Sequence, residues 1–126
     1  MKLEQQVVSL ELAKKLKELG VKQESLYWWT SADNKTPILR GWMNDYETNS
    51  RWTVYSAFTV AELGEMLPTN IEDYYIIYDR LVDSSFHVYY EKIGKRPEIL
   101  IKDQGADTEA DARAKMIIYL LENKLI

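Results

Sequence analysis

The chain has no cysteine, which excludes a disulfide framework, a thiolate nucleophile, and cysteine-ligated zinc or iron–sulfur centres. It has one histidine, so a histidine-based metal cluster is excluded as well. Glycines number five and prolines three, and none forms a glycine-rich phosphate loop, a nucleophile elbow or a zinc-binding helix signature. No apolar run reaches the length that crosses a bilayer. The opening residues Met1 to Val8 carry Lys2, Glu4, Gln5 and Gln6 and lack the apolar core of a signal peptide. These absences lead us to expect a soluble cytoplasmic protein without a membrane association, a cofactor or a metal. Basic residues are outnumbered, sixteen against twenty acidic, for a net charge of −4. Attraction to phosphate backbones is therefore not the default.

Aromatic residues with a polar handle are abundant. Four tryptophans and nine tyrosines accompany only two phenylalanines, and such rings suit half-buried sheet faces and binding surfaces alike. At 126 residues the length fits a single domain, 1–126, with a core of its own.

Helix punctuation is clear in three places. Ser9 can cap a helix through Leu19 whose apolar stripe is Leu12, Ala13, Leu16 and Leu19; Gly20 and Val21 then have the order of a Schellman stop. Thr59 and Glu62 have capping-box spacing, Phe58 and Leu63 can form the hydrophobic staple, and Pro68 ends that helix. Thr108 and Asp111 offer a shorter-armed box for a helix to Ile126, with Glu109–Arg113 and Asp111–Lys115 spaced as ion pairs.

Between the helices the residues favour strands. Leu26 to Thr30, Pro37 to Met43 and Arg51 to Ala57 precede the Thr59 helix, with a polar loop over Asn44 to Ser50. Ile71 to Val82 fits a helical face as well as a strand, but Tyr74, Tyr75, Ile76, Ile77 and Tyr78 decide for strand. A turn at Asp83 to Ser85 leads into Phe86 to Ile93, and Glu98 to Lys102 follows Gly94 to Pro97 as a short sixth strand. The expected fold is α+β: an antiparallel sheet of about six strands packed on one face by three helices, in the order α-β-β-β-α-β-β-β-α.

Chemistry-bearing residues are sparse. His87 stands in a strand, where Glu91 on the same face is a distant orienting carboxylate, and an ordinary partner-paired histidine explains it better than a general base. The acids Asp103, Asp107, Glu109 and Asp111 lack the glycine and closing glutamate of a calcium loop, and helix capping accounts for them. No catalytic residue is assigned. The strongest functional feature is the aromatic cluster in the first strands, from which we take Trp29, Trp42, Arg51 and Trp52 as a candidate binding face. Two other readings stand beside it: nucleic-acid binding through the basic residues of the first helix, Lys14, Lys15 and Lys17, and a small enzyme using carboxylates or His87.

The phrases SLELAKKLKELGVKQESL, YSAFTVAELGEMLP and DTEADARAKMIIYLLENKLI, about two-fifths of the chain, resemble a family of small phage and prophage proteins of unassigned function. The resemblance implies a phage-derived accessory protein in a bacterial cytoplasm, and the reading of the residues adds an interaction module that binds a host or phage protein through its aromatic strands. It carries no catalytic or ligand residues with it.

Overall fold

The computed structural model describes residues 1–32, 36–41, 52–92 and 98–126, without the side chains at 52 and 98–102. In chain order the elements are α1 (Leu3–Gln6), α2 (Leu10–Glu18), β1 (Trp28–Ala32), β2 (Ile38–Arg40), β3 (Trp52–Ser56), α3 (Val60–Met66), β4 (Asn70–Ile71), β5 (Tyr74–Arg80), β6 (Phe86–Lys92), β7 (Glu98–Ala106) and α4 (Glu109–Glu122). The α+β class with antiparallel pairing is as expected, and Tyr74–Arg80 is indeed a strand, but the expected run Ile71 to Val82 is broken by a turn at Glu72, φ +53°, and Asp73, and Val82 belongs to the following turn. Among the described residues the expected single sheet is instead two, with orders β2-β1-β3 and β4-β5-β6-β7.

The physical reason for the division lies on the outer edge of β3. In its pairing with β1, the Val54 carbonyl and the Ser56 amide point away from the partner strand. Lys17 Nζ donates to Val54 O at 3.0 Å, and Gln23 Oε1 accepts from Ser56 N at 2.8 Å. With those groups satisfied by side chains from α2 and the segment after it, the edge offers no ladder for a fourth strand. The chain then dives inward: Ala57 and Phe58 are fully buried, and Val8 N donates to Phe58 O at 2.9 Å.

The caps explain where the helices begin and end. Thr59 Oγ1 accepts from Glu62 N at 3.2 Å while Glu62 Oε1 accepts from Thr59 N at 3.0 Å, completing the box, and Phe58 and Leu63 are both buried. Gly20, at φ +89°, ends α2 with Gly20 N donating to Lys17 O and Val21 N to Leu16 O, the two bonds of a Schellman motif. Helix α4 stops the same way earlier than expected: Lys124 takes φ +55°, and Leu125 N donates to Leu120 O at 2.8 Å.

Two expected contacts are replaced. Ser9 occupies the N-cap of α2 but its hydroxyl makes no cap bond; its amide donates instead to Asp111 Oδ1 at 2.7 Å, tying α2 to α4. That contact uses the carboxylate expected to pair with Lys115, whose Nζ donates to Gly105 O at 2.9 Å. The Glu109–Arg113 pair forms at 2.8 Å.

Helix α4 supplies much of the core. Met116, Ile117 and Leu120 pack with Leu16, Phe58, Leu63, Val88 and Tyr90, and burial of such side chains stabilises the fold by roughly 1.5–3 kcal/mol each. Arg113 closes one end: its guanidinium lies 4.2 Å from the Tyr78 ring centroid and donates to Val60 O at 3.1 Å. Gly64 makes room, since a Cβ there would collide with Arg113 Nη1.

Candidate functional site

Strand alternation sorts β5 and β6 into two faces. Phe86, Val88 and Tyr90 point to α4, and Val88 and Tyr90 are fully buried there. The Tyr90 hydroxyl donates to Pro68 O at 2.7 Å, and burial pushes its ionisation far above the ordinary tyrosine range. The residues between them, His87, Tyr89 and Glu91, therefore project from the opposite face. Pairing brings Tyr75 beside Glu91, Ile77 beside Tyr89 and Asp79 beside His87 on that face.

At one end of this face is a four-membered hydrogen-bond chain. The turn after β5 is held by Asp83 Oδ1, which accepts from Ser85 N at 3.0 Å and from Ser85 Oγ at 2.6 Å. Ser85 Oγ lies 2.8 Å from His87 Nε2, and His87 Nδ1 lies 2.8 Å from Asp103 Oδ2. Gly105, paired with His87, lets the ring lie across β7: a Cβ at that position would stand 2.6 Å from Cε1 and 2.9 Å from Nδ1. A surface depression of about 500 Å³ opens alongside, lined by Asp83, Ser85, His87, Asp107, Asp111 and Lys115 among others.

The distances resemble a serine–histidine–aspartate relay, but the direction of the protons does not. An ionised carboxylate only accepts, so Asp103 requires a proton on Nδ1. The single hydroxyl proton of Ser85 goes to Asp83, the closer acceptor at 2.6 Å and also a carboxylate, so it is not directed at Nε2. A serine nucleophile needs the reverse, a neutral Nε2 that takes the hydroxyl proton. The Ser85 hydrogen bonds, joined by the His87 charge, hold Asp83 below the ordinary carboxylate range. The arrangement is a staple between the β5–β6 turn and β7.

The carboxylate at His87 is Asp103 rather than Glu91. The expected strand ended at Lys102 and left Asp103 in a loop, whereas β7 continues to Ala106. The available signal was Gly105, because a glycine inside a strand marks a close approach. The other acids disperse: Glu109 binds Arg113 and Asp111 binds Ser9. Among the described residues no three His, Asp or Glu side chains converge as metal ligands.

The expected aromatic face is only partly visible. Trp29 is half-buried against the core, and its Nε1 donates to Val8 O at 2.8 Å. With Lys14, Thr53 and Tyr55 it also lines a groove of about 280 Å³. Trp42 and Arg51 lie outside the described residues, and of Trp52 only the backbone is described, paired with Ala32. Trp29 pairs with Tyr55, so Trp29 and Trp52 occupy register positions of opposite parity. The basic helix is partly committed to the fold: Lys14 and Lys17 stand 5.8 and 5.1 Å from the Tyr55 ring centroid, and Lys17 also holds Val54 O. Among the described residues no helix is long and apolar enough to cross a membrane. The chain matches no family model, no curated protein and no solved structure.

Proposed function

We propose that the chain is a phage-derived accessory protein that works in the bacterial cytoplasm as a protein-binding module, and that its contact surface includes the open face of the four-stranded sheet. The carrying observation is Tyr75, 47% exposed, beside half-buried Ile77 and Tyr89 on the face opposite α4. Aromatic side chains held on a rigid sheet lose little entropy on binding and dominate contact energies. The resemblance to phage and prophage proteins supports the setting. The Ser85 hydroxyl proton, directed at Asp83 rather than at His87, disfavours a serine-nucleophile enzyme. The net charge of −4 and the internal role of Lys17 disfavour the nucleic-acid reading.

The test compares two faces. Tagged protein is used to capture partners from phage-bearing host cells, and one partner is then purified and titrated against Tyr75→Ala, Tyr89→Ala, Trp42→Ala and Trp52→Ala variants shown to be folded by circular dichroism. An anchor residue should weaken binding by about 2 kcal/mol or more. Loss confined to Trp42→Ala and Trp52→Ala would move the contact to the other candidate residues, with Trp29 and Arg51. Undiminished binding by all four variants would refute both faces.

A further inference from the structure

We infer that the partner meets the open sheet face with arginine: the surface takes a guanidinium-bearing protein segment laid across Tyr75, Ile77 and Tyr89. The inference rests on the binding reading above and adds the chemistry of the occupant. Its basis is the way carboxylates frame the rings. Glu91 is the cross-strand partner of Tyr75 and lies two residues from Tyr89, and Asp79 lies two residues from Ile77. Adjacent strands are about 4.8 Å apart and alternate residues along a strand about 6.8 Å. A cation over the Tyr89 ring therefore has a carboxylate within reach on either side.

The acids here are not equivalent. Asp103 is bound to His87, whereas Asp79 and Glu91 have no ion-pair partner among the described residues. Burial first, and then the negative charge of Asp79, Glu91 and Asp103, raise the ionisation of the Tyr89 phenol above its ordinary value. The same field that resists a phenolate on that ring attracts a cation to it. Ring faces and carboxylates together favour arginine over lysine, because a guanidinium stacks flat on an aromatic ring and forks onto a carboxylate, whereas an ammonium is a strongly hydrated point charge. Phosphate-bearing partners are repelled by the same acids.

The test uses fluorescein-labelled octaarginine and octalysine as probes, titrated by fluorescence anisotropy with the full chain at low and at physiological salt. Octaarginine should bind about fivefold or more tighter than octalysine, reflecting stacking and forked hydrogen bonding. Tyr89→Ala, and the double variant Asp79→Asn with Glu91→Gln, should each weaken octaarginine about tenfold. His87→Ala, which removes neither a carboxylate nor a tyrosine ring, should not weaken it. Equal binding of the two peptides, or binding indifferent to Tyr89→Ala, would mean diffuse charge attraction and overturn the inference. If a captured partner is lost on Tyr75→Ala and Tyr89→Ala yet tolerates the Asp79 and Glu91 changes, the face stands and the arginine chemistry fails. If that partner tolerates the tyrosine changes too, the binding reading fails with it.

Discussion

Substituting Gly105 by alanine should destabilise the protein for a reason confined to one neighbour, the His87 ring. A Cβ at 105 would stand 2.6 Å from Cε1, 2.9 Å from Nδ1 and 3.3 Å from Nε2. The ring cannot yield by a small rotation, because Ser85 and Asp103 hold it at 2.8 Å on both sides. It must swing away and give up both contacts. Hydrogen bonds to charged groups contribute about 1.5–3 kcal/mol when dry. The ring is 18% exposed and Asp103 42%, so water recovers part of that, and the loss comes to about 1–2 kcal/mol. Alanine in place of glycine within a strand returns about 0.5–1 kcal/mol. The single variant should therefore lose roughly 1 kcal/mol, with more if β7 shifts. In a His87→Ala background the collision is gone, and the same substitution should stabilise by about 0.5–1 kcal/mol. Urea unfolding of the four proteins of this double-mutant cycle, with the slopes compared to check the two-state assumption, reads the coupling directly. Equal effects of Gly105→Ala in both backgrounds would refute the account of the staple.

Thr59→Ala should cost about 1 kcal/mol by removing the acceptor of Glu62 N; Thr59→Ser should restore most of it, and an unchanged unfolding midpoint would remove the cap from the account. Tyr90→Phe should cost about 1–2 kcal/mol at neutral pH, because the Pro68 carbonyl loses its buried donor at 2.7 Å. The Tyr90 ionisation is raised from 10.0 in the fold, so its protonated form stabilises the native state fully below about pH 10 and that contribution fades as pH rises further. The gap between wild type and Tyr90→Phe in thermal melts should accordingly stay constant from about pH 8 to pH 10 and narrow only above about pH 10, and a gap that widens there would contradict the burial of that hydroxyl.

Helix boundaries were legible because caps are local. Thr59, Glu62, Gly20 and Val21 act within a few residues of one another, and their hydrogen bonds form as the spacing requires. The division into two sheets was not legible, since it depends on Lys17 and Gln23 reaching Val54 and Ser56 across more than thirty residues of chain. The His87 staple failed for a related reason. Its two near partners, Asp83 and Ser85, are sequence neighbours, but Asp103 arrives only through the pairing of β6 with β7, sixteen residues away. An acid placed in a loop by the end of a propensity run becomes a strand residue once Gly105 lets the strand continue beside the ring.

The candidate contact face shows the same dependence of function on register. Tyrosines and tryptophans are numerous, but counting rings cannot say which of them point outward. In β5 the two alternating sets are Tyr74, Ile76, Tyr78 and Tyr75, Ile77, Asp79, nearly equal in apolar character, so this strand alone does not choose its buried side. In β6 the sets differ: Phe86, Val88 and Tyr90 against His87, Tyr89 and Glu91, and the hydrophobic effect commits the first to α4. Antiparallel pairing carries that choice across, with Ile77 opposite Tyr89 and Ile76 opposite Tyr90. A shift of one residue in that pairing would put Tyr74, Ile76 and Tyr78 on the outer face and strand Arg113 without the ring it covers. The stacking of Arg113 on Tyr78, with Gly64 giving it room, thus helps hold the register that places Tyr75 and Tyr89 on the face opposite α4.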